Sequence, residues 1–73
     1  MDELTYTKGI YTATAAVRRV GQDQFQGVVT LQRDDGGDTE NTVYEVESAS
    51  PGEAEALEEA KALAHRILGE IEL

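Results

Sequence analysis

The stretch that decides the fold begins Ala49-Ser50-Pro51-Gly52-Glu53-Ala54-Glu55 and runs to Leu73. Ser50 stands three residues before Glu53, the spacing of a capping box, in which each side chain bonds the other residue's amide. Pro51 then falls at the first helical position, where a missing N–H costs nothing. Glu53 and Glu55 lie at the end of the helix dipole that favours negative charge. Beyond them Leu57, Ala60, Ala64, Ile67, Leu68 and Ile71 recur at three- and four-residue steps, with Leu63 and Ala56 widening one flank. The spacing predicts an acidic amphipathic helix over about 51–70, with alanines at 56, 60 and 64 permitting close approach to whatever it covers.

Upstream, the composition is that of strands. Residues 6–20 are rich in Thr, Tyr, Val and Ala and read as a first strand, with Gly9 at a ragged start, bend or bulge. Gly21-Gln22-Asp23-Gln24 reads as a hairpin turn. Residues 25–33 alternate cleanly, with Phe25, Gly27, Val29 and Leu31 on the core side and Gln26, Val28, Thr30 and Gln32 on the other. The segment Asp34 to Asn41 reads as a polar loop around Gly36-Gly37, and residues 42–48 as a third strand with Tyr44 and Val46 inward and Val43, Glu45 and Glu47 outward. Pairs between Arg18 or Arg33 and those glutamates would help to set register. The expected architecture is a single α+β domain spanning 1–73: a three-stranded antiparallel meander with one C-terminal helix packed on one face, βββα.

A chain of 73 residues is near the lower size at which one core suffices, and this one has one Phe, three Tyr and no Trp. A homodimer or a protein partner would supply the missing burial. The absence of cysteine excludes disulfides, thiolate zinc sites and cysteine nucleophiles. No signal-like segment or membrane-length apolar run is apparent, so the expected location is the cytoplasm, away from membranes. The net charge of -9 is uneven. Residues 4–33 carry Lys8, Arg18, Arg19 and Arg33 against Asp23, whereas residues 34–73 carry twelve acids against Lys61 and Arg66. That field repels phosphate backbones and disfavours nucleic acid as a partner. It serves either as solubility charge or to orient a second copy or a basic partner.

No group of residues has the spacing of a catalytic, cofactor or metal site, and none is expected. Asp34, Asp35, Asp38 and Glu40 lie in too short a stretch for a calcium loop. Gly36-Gly37 lacks the lysine and the strand-to-helix setting of a phosphate loop. His65, the only histidine, lies just outside the apolar stripe and reads as a surface or boundary residue. Glu55 with Glu59 is a like-charge pair, while Glu58 with Lys61 and Arg66 with Glu70 are favourable helix pairs. The candidate interface is the sheet face away from the helix. Tyr11 shares strand parity with Ala13, Ala15, Val17 and Arg19; if that set is the uncovered face, Tyr11, Ala13 and Val17 with Val28 and Val43 form an apolar patch that monomers seldom expose.

The order of strands followed by a capped helix, carried by Phe25 to Leu68 and above all by E-A-K-A-L-A-H-R-I-L at 59–68, resembles the later portion of the double-stranded RNA-binding domain. It also resembles the small domain of the HicB-like antitoxin group. The first resemblance implies RNA contacts from lysines at the helix start and from the loop between the first two strands. The matching positions here are Glu53-Ala54-Glu55 and Gly21 to Gln24, without a basic residue. The second implies a bacterial regulatory or toxin-neutralising role. The leading expectation is a non-enzymatic interaction or self-associating domain. An antitoxin-like regulator or acidic inhibitor of a basic partner comes next, and nucleic-acid binding is disfavoured by charge.

Overall fold

The structure, a computed structural model, describes residues 3–71. Four antiparallel strands form a meander in the order β1 (Leu4–Lys8), β2 (Tyr11–Gly21), β3 (Gln24–Asp35) and β4 (Asp38–Glu45), followed by helix α1 (Glu53–Glu70). The expectation of three strands is therefore corrected: the order is ββββα. The single strand expected over residues 6–20 is a hairpin. Lys8 pairs with Tyr11 across a two-residue turn in which Gly9 has φ +61°, a left-handed conformation that glycine takes without a Cβ clash. The polar loop expected over 34–41 is also a tight turn. Asp35 pairs with Asp38 around Gly36 (φ +73°) and Gly37, and the flanking polar residues are strand. The β2–β3 turn lies where expected, with a register shift between Arg19 and Gly21.

Side-chain alternation divides the sheet into two faces. Ala13 pairs with Leu31 and Ala15 with Val29, so Tyr11, Ala13, Ala15 and Val17 share the face of Gly27, Val29 and Leu31. On β1 the same face carries Leu4, Tyr6 and Lys8. Helix α1 lies over this face, mainly on β2 and β3. Ala13, Ala15, Val29, Ala60, Ala64 and Leu68 form the core, with Leu4, Tyr6, Tyr11, Leu31, Leu63, Ile67 and Ile71 packed at its margin.

The row Ala56, Ala60, Ala64, Leu68 is the buried edge of the helix, and Leu57 and Ile67 are only half-buried. The stripe expected from the sequence is thus turned toward its alanines. The reason is Gly27: a Cβ built there would stand 2.6 Å from the Ala56 carbonyl oxygen, 2.9 Å from Val46 Cγ2 and 3.0 Å from Ala60 Cβ. The helix rests almost directly on the strand backbone, which only small residues on both surfaces allow.

The two helix ends are held by residues far away in sequence. The expected capping box does not form. Ser50 bridges to Phe25, with N···O distances of 2.8 and 2.7 Å in the two directions, so its amide is not free to meet Glu53. Its buried hydroxyl donates to the Glu59 carboxylate instead. The N-cap residue is Gly52, which has no side chain to cap with, and the helix starts at Glu53 rather than Pro51. At the other end, Lys8 Nζ donates to the carbonyl oxygens of Leu68 (2.9 Å) and Ile71 (3.0 Å). The last helical turn has no basic residue of its own, so β1 supplies the cation that the negative end of the dipole favours.

Candidate functional site

Helix α1 leaves β4 bare. All eight residues of β4 are exposed, including Val43 (60%) and Tyr44 (38%), although the strand is fully paired with β3. Tyr44 pairs with Val29 and so points to the helix side of the sheet, as expected, but the helix does not reach over it. An open groove of about 630 Å³ results. One wall runs from Tyr44 to Ser48, and the other is the flank of α1 that carries Glu59, Ala62, Leu63 and Arg66.

The first wall is shaped by how the chain leaves the sheet. Val46 N–H still donates to the Gly27 carbonyl (2.9 Å), and Gln26 Nε2 donates to the Val46 carbonyl (2.8 Å). The chain then rejoins β3 only at the Ser50–Phe25 bridge. Three residues, 47–49, lie between those two anchor points on this chain, where β3 has only Gln26. The surplus backbone bows outward and carries Glu47 and Ser48 to the groove. The floor and walls are apolar at Tyr44, Val46, Ala62 and Leu63; the charges are Glu47 and Glu59 against Arg66, while the carboxylate of Glu45, at the groove margin, turns to Arg18 on the open face.

β4 is also a sheet edge. The Val46–Gly27 bond shows that the pairs 46–27, 44–29, 42–31 and 40–33 exchange backbone hydrogen bonds, because bonded and non-bonded pairs alternate in an antiparallel ladder. Thr39, Asn41, Val43 and Glu45 therefore turn their backbone N–H and C=O away from the sheet. Edge strands are commonly protected by charge, bulges or covering segments. β4 has acids at Asp38, Glu40 and Glu45, and no other described element covers it.

The open face of the sheet is uncharged through its middle. One cross-strand row reads Thr5, Thr14, Thr30, Val43 and the next Thr7, Thr12, Gln32, Asn41. Ala16 and Val28 lie beside Glu45, whose carboxylate accepts from Arg18 at 2.7 Å while the same guanidinium donates to Gln26 at 3.1 Å. The anticipated Arg–Glu pairing thus forms, with both partners about half exposed.

The five candidate interface residues do not share one face. Ala13 and Val17 are buried beneath the helix and Tyr11 packs at the core margin, whereas Val28 and Val43 lie on the open face. The apolar patch expected from all five is therefore corrected to Val28 and Val43 with Ala16. The groove-lining residues Ala62, Leu63 and Glu59 were not singled out as a site, since only the uncovered length of β4 turns that flank of the helix into a wall.

Among the described residues, no cluster of three or more His, Cys, Asp or Glu side chains is placed to hold a metal ion. The acids of residues 34–40 are drawn out along two strands: Asp35 faces Asp38, and Arg33 lies 3.8 Å from Glu40 and 3.4 Å from Asp35. His65 is exposed and packs against Tyr6 of β1 with ring centroids 4.4 Å apart and the ring planes tilted by 52°. Lys61 pairs with Glu58 at 3.3 Å, as expected, and the Arg66–Glu70 pair does not form among the described residues. No helix among them is long and apolar enough to cross a membrane. Compared with known protein families, with curated proteins and with solved structures, the chain matches none of them.

Proposed function

We propose that the domain is a non-enzymatic protein-interaction module that takes its partner along β4 and the adjoining flank of α1. The observation that carries this reading is a strand fully paired in the sheet yet exposed along its whole length, beside a groove with apolar walls. Exposed tyrosine and aliphatic side chains at a concave surface with a charged rim are the usual materials of a protein contact. The acids around the groove favour a basic partner, in keeping with the role of an acidic inhibitor or regulator. The test is capture of partners by the immobilised domain from its source cells, compared with the variants Tyr44→Lys and Leu63→Glu. A stoichiometric partner retained by the wild type and lost by both variants supports the reading. Identical capture by all three overturns it.

A second reading is self-association through the open face. Val43 is its most exposed large apolar residue and is a diagonal neighbour of Val28. Sedimentation velocity from low to high micromolar concentration should then show a dimer that Val43→Lys dissociates. A species of 7.9 kDa at every concentration would dismiss it.

A further inference from the structure

We infer that β4 receives an extended peptide of alternating basic and apolar residues as a fifth, antiparallel strand of the sheet. This rests on the proposed interaction role and specifies how the partner is held. Three features of β4 coincide. Its outer backbone groups at Asn41, Val43 and Glu45 form an unpaired row of donors and acceptors, the template used in strand addition. A strand laid there would point every second side chain to the helix side, alongside Tyr44 and Leu63 in the groove. The intervening side chains would stand on the open-face side, opposite Asn41, Val43 and Glu45.

Charge complementarity selects the occupant. β4 carries three acids and no base in a chain of net charge -9, and opposite charges directly across a strand pair are favourable. Basic side chains on the outer parity stand opposite Glu45, whose half-exposed carboxylate they share with Arg18. Apolar side chains on the inner parity cover Tyr44, Val46 and Leu63. An acidic strand would place like charges on those same positions. The sequence of β4 itself, Asp38-Thr39-Glu40-Asn41-Thr42-Val43-Tyr44-Glu45, carries three acids and no base, so a second copy pairing through this edge would bring like charges together.

The test uses a fluorescein-labelled peptide of sequence K-V-K-I-K-V-K, blocked at both ends, titrated with the full chain and followed by anisotropy. Added antiparallel, as in every other pair of this sheet, the strand points the amides of its lysines at β4 and those of its apolar residues away. N-methylation of the lysine amides should therefore weaken binding at least ~10-fold, while N-methylation of the apolar amides leaves it nearly unchanged. Replacing every lysine by glutamate should abolish it. On the protein side, Val43→Pro removes an outward-facing N–H without breaking a bond to β3, an edge position where proline is tolerated. It should weaken binding several-fold while the far-ultraviolet circular dichroism stays unchanged.

Equal binding by the two methylated peptides would overturn strand addition, even if the affinity fell with salt. That result would leave simple charge attraction, and the interaction role would still be decided by the partner-capture comparison. Equal binding of the glutamate peptide, or no binding of the parent up to millimolar concentration, would also overturn it.

Discussion

Replacing Gly27 by alanine should destabilise the domain, and the sign of the effect is itself informative. Gly27 does not have the positive φ seen at Gly9 and Gly36, so alanine can adopt its backbone conformation. In open space such a change restricts the unfolded chain and stabilises by roughly 0.4–1 kcal/mol. Here the new methyl would meet the Ala56 carbonyl oxygen at 2.6 Å, Val46 Cγ2 at 2.9 Å and Ala60 Cβ at 3.0 Å. Overpacking of this kind costs about 1–3 kcal/mol. The nearest atom belongs to helix backbone and cannot rotate away, which places the cost toward the upper end. The net expectation is a loss of about 2 kcal/mol, or roughly 8–16 °C in melting temperature for a domain of this size. Thermal melting by circular dichroism and urea titration both measure it. Ala60→Gly in the same chain should restore little, since it relieves the 3.0 Å contact and leaves the one at 2.6 Å. A melting temperature equal to or above that of the wild type for Gly27→Ala would refute the close seating of the helix.

The helix ends give further expectations. Lys8→Met keeps the side-chain length but removes both hydrogen bonds to the Leu68 and Ile71 carbonyls, and urea titration should show a loss of about 1–2 kcal/mol. Ser50→Ala should cost about 1 kcal/mol by removing the bond to Glu59, whereas Glu53→Ala, which deletes the capping-box acceptor, should stay within ~0.5 kcal/mol; a cost for Glu53→Ala as large as that for Ser50→Ala would revive the capping box. Gly69→Ala, in the helix with nothing within 4 Å of the added methyl, should raise stability by about 0.5–1 kcal/mol. Calorimetry showing a lower melting temperature would contradict that helical, uncrowded setting.

The helix was legible because its apolar stripe has a sustained helical period and a sharp acidic start. The faces of β3 were legible for the same kind of reason, since residues 25–32 alternate without interruption. The first hairpin escaped because Thr and Tyr continue on both sides of Gly9. Its signal lay in parity: inward residues are even-numbered at Leu4 and Tyr6 but odd-numbered at Tyr11, Ala13 and Ala15, which one continuous strand cannot have. The start of β4 escaped because Asp38 to Thr42 carries no apolar residue; those positions are strand through pairing with β3 and the turn at Gly36. Ser50 satisfied a local capping pattern, but a bridge to a residue twenty-five positions earlier claimed its amide, and no local pattern contains that information. The interface residues were divided between faces by register, which rests on turn lengths. Misreading the first strand left the parity of Tyr11, Ala13 and Val17 unanchored. The groove depends on the same register, since it exists only because the helix sits over β2 and β3 and stops short of β4.

Amide hydrogen exchange along β4, measured by NMR at low protein concentration with and without the lysine-alternating peptide, bears most directly on the claim that this edge is the binding surface. In the free domain the amides of Thr42, Tyr44 and Val46 should be protected, and those of Asn41, Val43 and Glu45 should exchange nearly as fast as in an unstructured chain. Addition of the peptide should slow Asn41, Val43 and Glu45 selectively. Protection of Val43 and Glu45 in the free domain, or no change at these three amides at saturating peptide, would contradict the account.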